Sequence, residues 1–233
     1  HIDSGADITL LYHAVDNAKE AYLTCNVLDL NRQKGVQAIE ANHGNKKNQN
    51  IYMDTCIMKT ELFISLVKEA KKLSSMYTLT DVINDKCETL DIRGVAHKGF
   101  FASVTDFPSY YKANMDLLNY KAAQELFHED WPIYTRTNDS CPTQYFSTAE
   151  VKNSVISNGC QIEGTVENSV IGRGCVIKKG AVVRNSVVLA EVTVGEGVHV
   201  ENEVVDKWAK LIHKKEIISP ADQPGYIKRN DTL

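Results

Sequence analysis

Cysteine and histidine are the residues here best suited to nucleophilic or metal chemistry, and the chain has six of one (Cys25, Cys56, Cys87, Cys141, Cys160, Cys175) and seven of the other. A zinc site announces itself by close spacing, thiolates as CxxC or imidazoles as HxH or HExxH. None of these spacings occurs, so the sequence predicts no metal centre. With no signal peptide ahead of them, the scattered cysteines predict reduced thiols in a cytoplasm. Gly172-Arg173-Gly174 and Gly195-Glu196-Gly197 offer backbone amides that a phosphate could approach. Neither continues as GxGxxG nor leads from a strand into a helix, so both read as corner glycines. His199 is the remaining candidate base, of the kind a hexapeptide acyltransferase places in a cleft between coils. It lies in a strand-like VHV with no loop insertion, and a surface or packing role is expected.

The elements that would have to position such residues differ between the two halves of the chain. At 233 residues, 43% hydrophobic and 24% charged, the sequence is long enough for one large or two small cores. No apolar run approaches the length of a bilayer span. A net charge of -4 with dispersed Lys and Arg supplies no basic stripe for nucleic acid.

The second half repeats. Segments led by asparagine begin at Asn153, Asn168, Asn185 and Asn202, spaced 15, 17 and 17 apart. Branched aliphatics recur six apart within them: Ile156 and Ile162; Ile171, Ile177, Val183 and Leu189; Val194 and Val200. This is the hexapeptide signature of a parallel β-helix, with about three hexapeptides per coil. Each hexapeptide supplies a short strand with its branched side chain turned inward, then a Gly-, Asn- or Lys-bearing corner. Cys160, Cys175 and Val192 hold the same place in successive coils, which predicts stacked core thiols. The leading asparagines predict a ladder of side-chain amides.

The first half mixes elements. ADITLLYHAV (6–15) and NIYMDTCIM (50–58) read as strands, and GFFASV (99–104) as another. TELFISLVKEAKKL (60–73) places Leu62, Phe63, Leu66, Val67, Ala70 and Leu73 at helical spacing. SYYKANMDLLNYKAAQELF, after Pro108, predicts one long helix ending near Trp131-Pro132. TRTNDSCPT (135–143) predicts a junction. The expected organisation is a part of an α/β domain over 1–130, a junction over 131–145, and a β-helix with a tail over 146–233. The abrupt start at HIDSGADITL, with no Gly-rich turn ahead of it, predicts that the α/β domain is incomplete.

Four stretches carry a resemblance: HIDSGADITL, SYYKANMDLL, WPIYTRTNDSCPTQYF and NSVISNGCQIEGTVENSVIGRGCVIKKGAVVRNSVV. In order, and over nearly the whole chain, they resemble the bacterial ADP-glucose pyrophosphorylase (glucose-1-phosphate adenylyltransferase) family, and within it the D-type subunit of glycogen biosynthesis. The resemblance implies a Rossmann-like nucleotidyltransferase α/β domain joined to a left-handed β-helix. Catalytic members of the family make ADP-glucose and pyrophosphate from ATP and glucose 1-phosphate with magnesium. Their Gly-rich nucleotide loop and one metal-binding Asp precede the point where this sequence starts, so no cofactor is expected in this chain.

The family positions that remain are altered. Counting back from Ala113-Asn114, FASVTD (101–106) falls on the WRDVGT-like segment, and Ser103 stands where a metal-binding Asp would be. AIEANH (38–43) falls on the FVEKP-like sugar-phosphate segment with Ala41 at the lysine position. YMD falls on the SMG-like segment with Asp54 at the glycine. A hydroxyl does not replace an anionic magnesium ligand, and losing a cation while gaining a carboxylate disfavours a sugar phosphate. The resemblance therefore implies no catalytic residue and no metal ligand here. It implies a regulatory or assembly subunit partnering the catalytic subunit of ADP-glucose pyrophosphorylase or itself, with a small-molecule effector and no nucleic-acid or membrane partner. Two rivals stay open: an active adenylyltransferase whose nucleotide loop lies in sequence not shown, and a hexapeptide acyltransferase.

Overall fold

The computed structural model describes residues 1–135 and 139–233. Residues 136–138 of the expected junction lie outside the described residues. The chain divides into two units, His1–Phe101 and Ala102–Leu233.

In the first unit the chain order is β1 (Ile8–Val15), β2 (Asn26–Leu30), β3 (Val36–Ala41), β4 (Gln49–Met58), α1 (Thr60–Leu73), α2 (Leu79–Asp85) and β5 (Ile92–Ala96). The strands form one mixed sheet in the order β3-β2-β4-β1-β5. β1 runs antiparallel to β4 and parallel to β5. Ile8, Leu10, Leu28, Tyr52 and Ile92 bury the sheet's inner face against Leu66 and Ala70 of α1 and Val82 and Ile83 of α2. The predicted helix over 60–73 is present, but its buried stripe is narrower than the spacing suggested. Leu62, Leu66 and Ala70 pack inward, four residues apart, while Phe63, Val67 and Leu73 stay exposed.

Two predicted elements differ. GFFASV is not a strand. The segment just before it forms β5, and Gly99, at φ 99°, then takes a backbone conformation that side-chain-bearing residues rarely adopt. The long helix is two: α3 (Phe107–Asp116) and α4 (Tyr120–Leu126). Local polar groups compete with helix continuation at the break, where the Asn119 side chain accepts the Lys121 N–H and starts a new helix. α3 itself begins with a capping box, the Asp106 carboxylate accepting the Ser109 N–H while Ser109 Oγ receives the Asp106 N–H.

The rest of the second unit is a parallel β-helix with three faces, each a five-stranded parallel sheet. One face is β6 (Gln144–Tyr145), β9 (Gln161–Ile162), β12 (Val176–Ile177), β15 (Thr193–Val194) and β18 (Lys210–Leu211). The next is β7 (Glu150–Lys152), β10 (Thr165–Glu167), β13 (Val182–Arg184), β16 (His199–Glu201) and β19 (Glu216–Ile218). The third is β8 (Val155–Ile156), β11 (Val170–Ile171), β14 (Val187–Val188), β17 (Glu203–Val205) and β20 (Gly225–Ile227). Inward columns stack Ile162, Ile177, Val194 and Leu211 on the first face, and Val166, Val183 and Val200 on the second. All of these are fully buried.

The inward residue on the third face is Val188, not Leu189. The two six-residue steps of a coil are followed by a five-residue step through the asparagine corner, which is why the repeat is 17 rather than 18. Asn153, Asn168, Asn185 and Asn202 all sit at φ between 43° and 57°, the left-handed region that asparagine tolerates better than most residues. A side-chain bond joins the first two of them, Asn153 Nδ2 to Asn168 Oδ1 at 2.8 Å. The continuous ladder runs one residue later: Ser154, Ser169 and Ser186 each accept the backbone N–H of the next member through Oγ, ending at Glu203. The first coil is two residues shorter because its second corner is only Glu163-Gly164. Gly164 lies so close to the Lys178 and Ala181 carbonyls that a Cβ would collide with them.

Candidate functional site

Ala41 ends β3 and is exposed. Beside it Asn42 is buried, and its side-chain amide donates to the Ala18 and Tyr22 carbonyls at 2.8 and 2.9 Å while its Oδ1 accepts the Gly44 N–H. The β3 end thus holds the loop that follows β1 through neutral backbone groups. The cavity next to it, about 230 Å³, is lined by Asp29, Glu40, Lys46 and Asn50 among others. Two carboxylates facing one ammonium are a poor cradle for a sugar phosphate.

Asp54 lies on β4, two strands from β3 in the sheet, and is exposed. Register slips there, Leu10 pairing with Cys56 but Tyr12 with Tyr52, so extra residues bulge from β4. Asp54 sits in that bulge at φ 47°, a conformation glycine adopts without cost. Burial pushes the neighbouring Tyr52 hydroxyl up, with Cys56 and Asp54 adding to the effect. Ser103 belongs to the second unit and lies in the irregular segment before α3, half-buried. The nearest carboxylate along the chain, Asp106, spends one oxygen on the α3 cap, and its carboxyl is held below the usual range by the Ser109 amide and hydroxyl. One hydroxyl and one exposed capping carboxylate do not fit the oxygen cage that magnesium requires.

The β-helix residues singled out above have structural surroundings. Cys160 and Cys175 are fully buried, and their thiols donate to the Gly172 and Leu189 carbonyls. The contact with Cys160, together with burial, pushes the Cys175 thiol up, so it stays neutral. His199 is half-buried on β16 with Nε2 3.1 Å from Glu201 Oε2, too poorly directed for a hydrogen bond. Gly172, Gly174, Gly195 and Gly197 lie at corners between strands.

Residue-by-residue spacing missed one constellation. His13 and His97 are 84 positions apart, but β1 and β5 run parallel in register through Tyr12 and Ala96, so the next residue on each is a histidine. Their Nδ1 atoms are 3.2 Å apart. Phe101 stacks on the His13 ring at 4.6 Å and 15°, and Tyr22 touches Phe101 at 5.7 Å. Burial and the neighbouring His97 both lower the His13 pKa. No sequence signal marks this pair, since it depends on which strand lands beside β1.

Against known proteins, the GlmU-like, C-terminal hexapeptide family matches residues 142–223, the β-helix. Over 98% of its length the chain is 26% identical to the glycogen biosynthesis protein GlgD of Bacillus subtilis (strain 168), covering 66% of that protein. It is 32% identical to GlgD of Geobacillus stearothermophilus over 78% of the chain and 52% of that protein. The chain is thus similar to GlgD proteins over most of its length. It is also 33% identical to the glucose-1-phosphate adenylyltransferase of Fervidobacterium nodosum (strain ATCC 35602 / DSM 5306 / Rt17-B1), over 60% of the chain and 34% of that protein. The chain spans between half and two thirds of the length of the GlgD proteins it matches.

Among the described residues no helix is long and apolar enough to cross a membrane.

Proposed function

We propose that the chain is the greater part of a GlgD-like subunit that supports ADP-glucose synthesis for glycogen biosynthesis in the cytoplasm. Its role is regulatory or architectural, beside a catalytic adenylyltransferase subunit. The observation that carries this reading is coverage. The two GlgD matches run over 98% and 78% of the chain, against 60% for the adenylyltransferase of Fervidobacterium nodosum.

The altered positions support the silent-site part of the reading. Ala41 offers no cation, Asp54 adds a carboxylate, and Ser103 offers a hydroxyl in place of an anionic ligand. His199 does not favour acyl transfer, since the Nε2 that lies beside Glu201 is buried on its own strand and not presented to a substrate.

The test is co-expression of the whole protein with the adenylyltransferase of the same organism. A joint peak by size exclusion, with a shifted rate or effector response of the adenylyltransferase, is the expected result. Separate elution with unchanged kinetics overturns the partner role.

A further inference from the structure

We propose that His13 and His97 form an open binding site for one transition-metal ion of the zinc class. The argument is geometric. Two imidazole ligands of a tetrahedral zinc, at about 2.0–2.1 Å each, stand with their nitrogens about 3.3 Å apart, and the two Nδ1 atoms here are 3.2 Å apart. Both histidines follow directly on the paired ends of parallel strands, where backbone hydrogen bonds fix their Cα positions. The His97 N–H donates to the Tyr12 carbonyl at 2.7 Å. The His13 ring is held in place by stacking on Phe101, which removes rotamer freedom that a ligand would otherwise have to lose on binding. Both residues are half-buried, neither sealed in the core.

Without a metal, one Nδ1 must donate its proton to the other. With a metal, both rings carry the proton on Nε2 and present a lone pair from Nδ1, so binding requires only that the donor ring move its proton from Nδ1 to Nε2. Among the described residues no third His, Cys, Asp or Glu joins the pair. The remaining coordination positions therefore go to water or an incoming anionic or imidazole-like ligand. Such a site is open in the manner of a reactive metal centre, not closed like a structural one. It lies at the carboxyl ends of parallel strands, where α/β sheets place their ligands. The inference does not depend on the GlgD-like reading.

An imidazole–imidazole hydrogen bond has the same nitrogen separation, and a titration separates the two. Zinc chloride is titrated into the metal-free protein against a chromophoric zinc indicator, alongside His13→Ala, His97→Ala, Phe101→Leu and, as a control on an exposed histidine of the second unit, His213→Ala. Cobalt(II) absorption is recorded on the same samples. The expected result is one zinc per chain, with binding weakened about tenfold or more by either His13→Ala or His97→Ala, weakened less by Phe101→Leu, and unchanged in His213→Ala. Far-ultraviolet circular dichroism of each metal-free variant must match the parent, and His13→Gln and His97→Gln stand in for any alanine variant that does not. No zinc binding, or binding that survives both histidine substitutions, overturns the proposal.

Discussion

Two residues show how position overrides type. Glu203 is 4% exposed at the end of the serine column. Its carboxylate occupies space that Gly225, its partner on β20, leaves vacant, and it accepts the Ser219 hydroxyl proton. Burial raises its pKa and the Ser219 bond only partly opposes that. A carboxyl whose folded pKa exceeds its unfolded one binds more protons when folded. Stability then falls as pH rises from the unfolded value, about 4.3, through the raised folded value. Glu203→Gln keeps an acceptor for Ser219 and has no charge to bury. Its melting temperature should exceed the parent's at pH 7, with the difference vanishing near pH 4. A difference independent of pH would contradict this. Asp54 is the second case. At φ 47° a non-glycine residue bears strain of about 1–2 kcal/mol, so Asp54→Gly should raise the urea midpoint or leave it unchanged, entropy offsetting part of the gain. A fall of more than about 1 kcal/mol would mean that the Asp54 side chain holds something in place. The resemblance puts Asp54 at a glycine position, and its positive φ in the bulge is a conformation that glycine would adopt without strain. Nothing in the sequence marked Glu203, because its burial depends on the glycine across the coil boundary.

At the scale of elements, periodic structure was legible and pairing was not. The β-helix repeats one packing problem in every coil, so Ile162, Ile177 and Val194 announced themselves by spacing alone. The error at Leu189 came from extending a six-residue step through a corner that takes five, a difference carried by the left-handed asparagines. In the mixed sheet, β2, β3 and β5 were not read, since each is short and its burial depends on its neighbours. The His13–His97 pair was invisible for the same reason. The register of the coils gives a sharp test. Ile177 is fully buried, and Ile177→Asp places an uncompensated carboxylate between stacked coils, costing about 4 kcal/mol or more. Lys178, one residue on, faces Glu163 at 3.7 Å, and Lys178→Asp should cost about 1 kcal/mol or less. Chemical denaturation of both variants checks this, and equal midpoints would refute the register. The tail after Asn202 completes the coils of its own chain. β17 to β20 continue the three faces, and the Ile212 and His213 amides both donate to the Leu233 carboxyl end.

For the whole molecule, the fold class read from the sequence holds, an α/β unit followed by a parallel β-helix of hexapeptide coils. The silent-site part of the proposed function rests on what the altered positions take away. If Ala41, Asp54 and Ser103 stand where the resemblance puts sugar-phosphate and metal groups, the proposed role is one that acts through a partner's chemistry. The most direct measurement is continuous pyrophosphate release by the whole purified protein, free of any other subunit, given ATP, magnesium and glucose 1-phosphate together and each omitted in turn. The account predicts no release above the omission controls, and restored release when the adenylyltransferase of the same organism is added. Release by the protein alone that requires both substrates would contradict it.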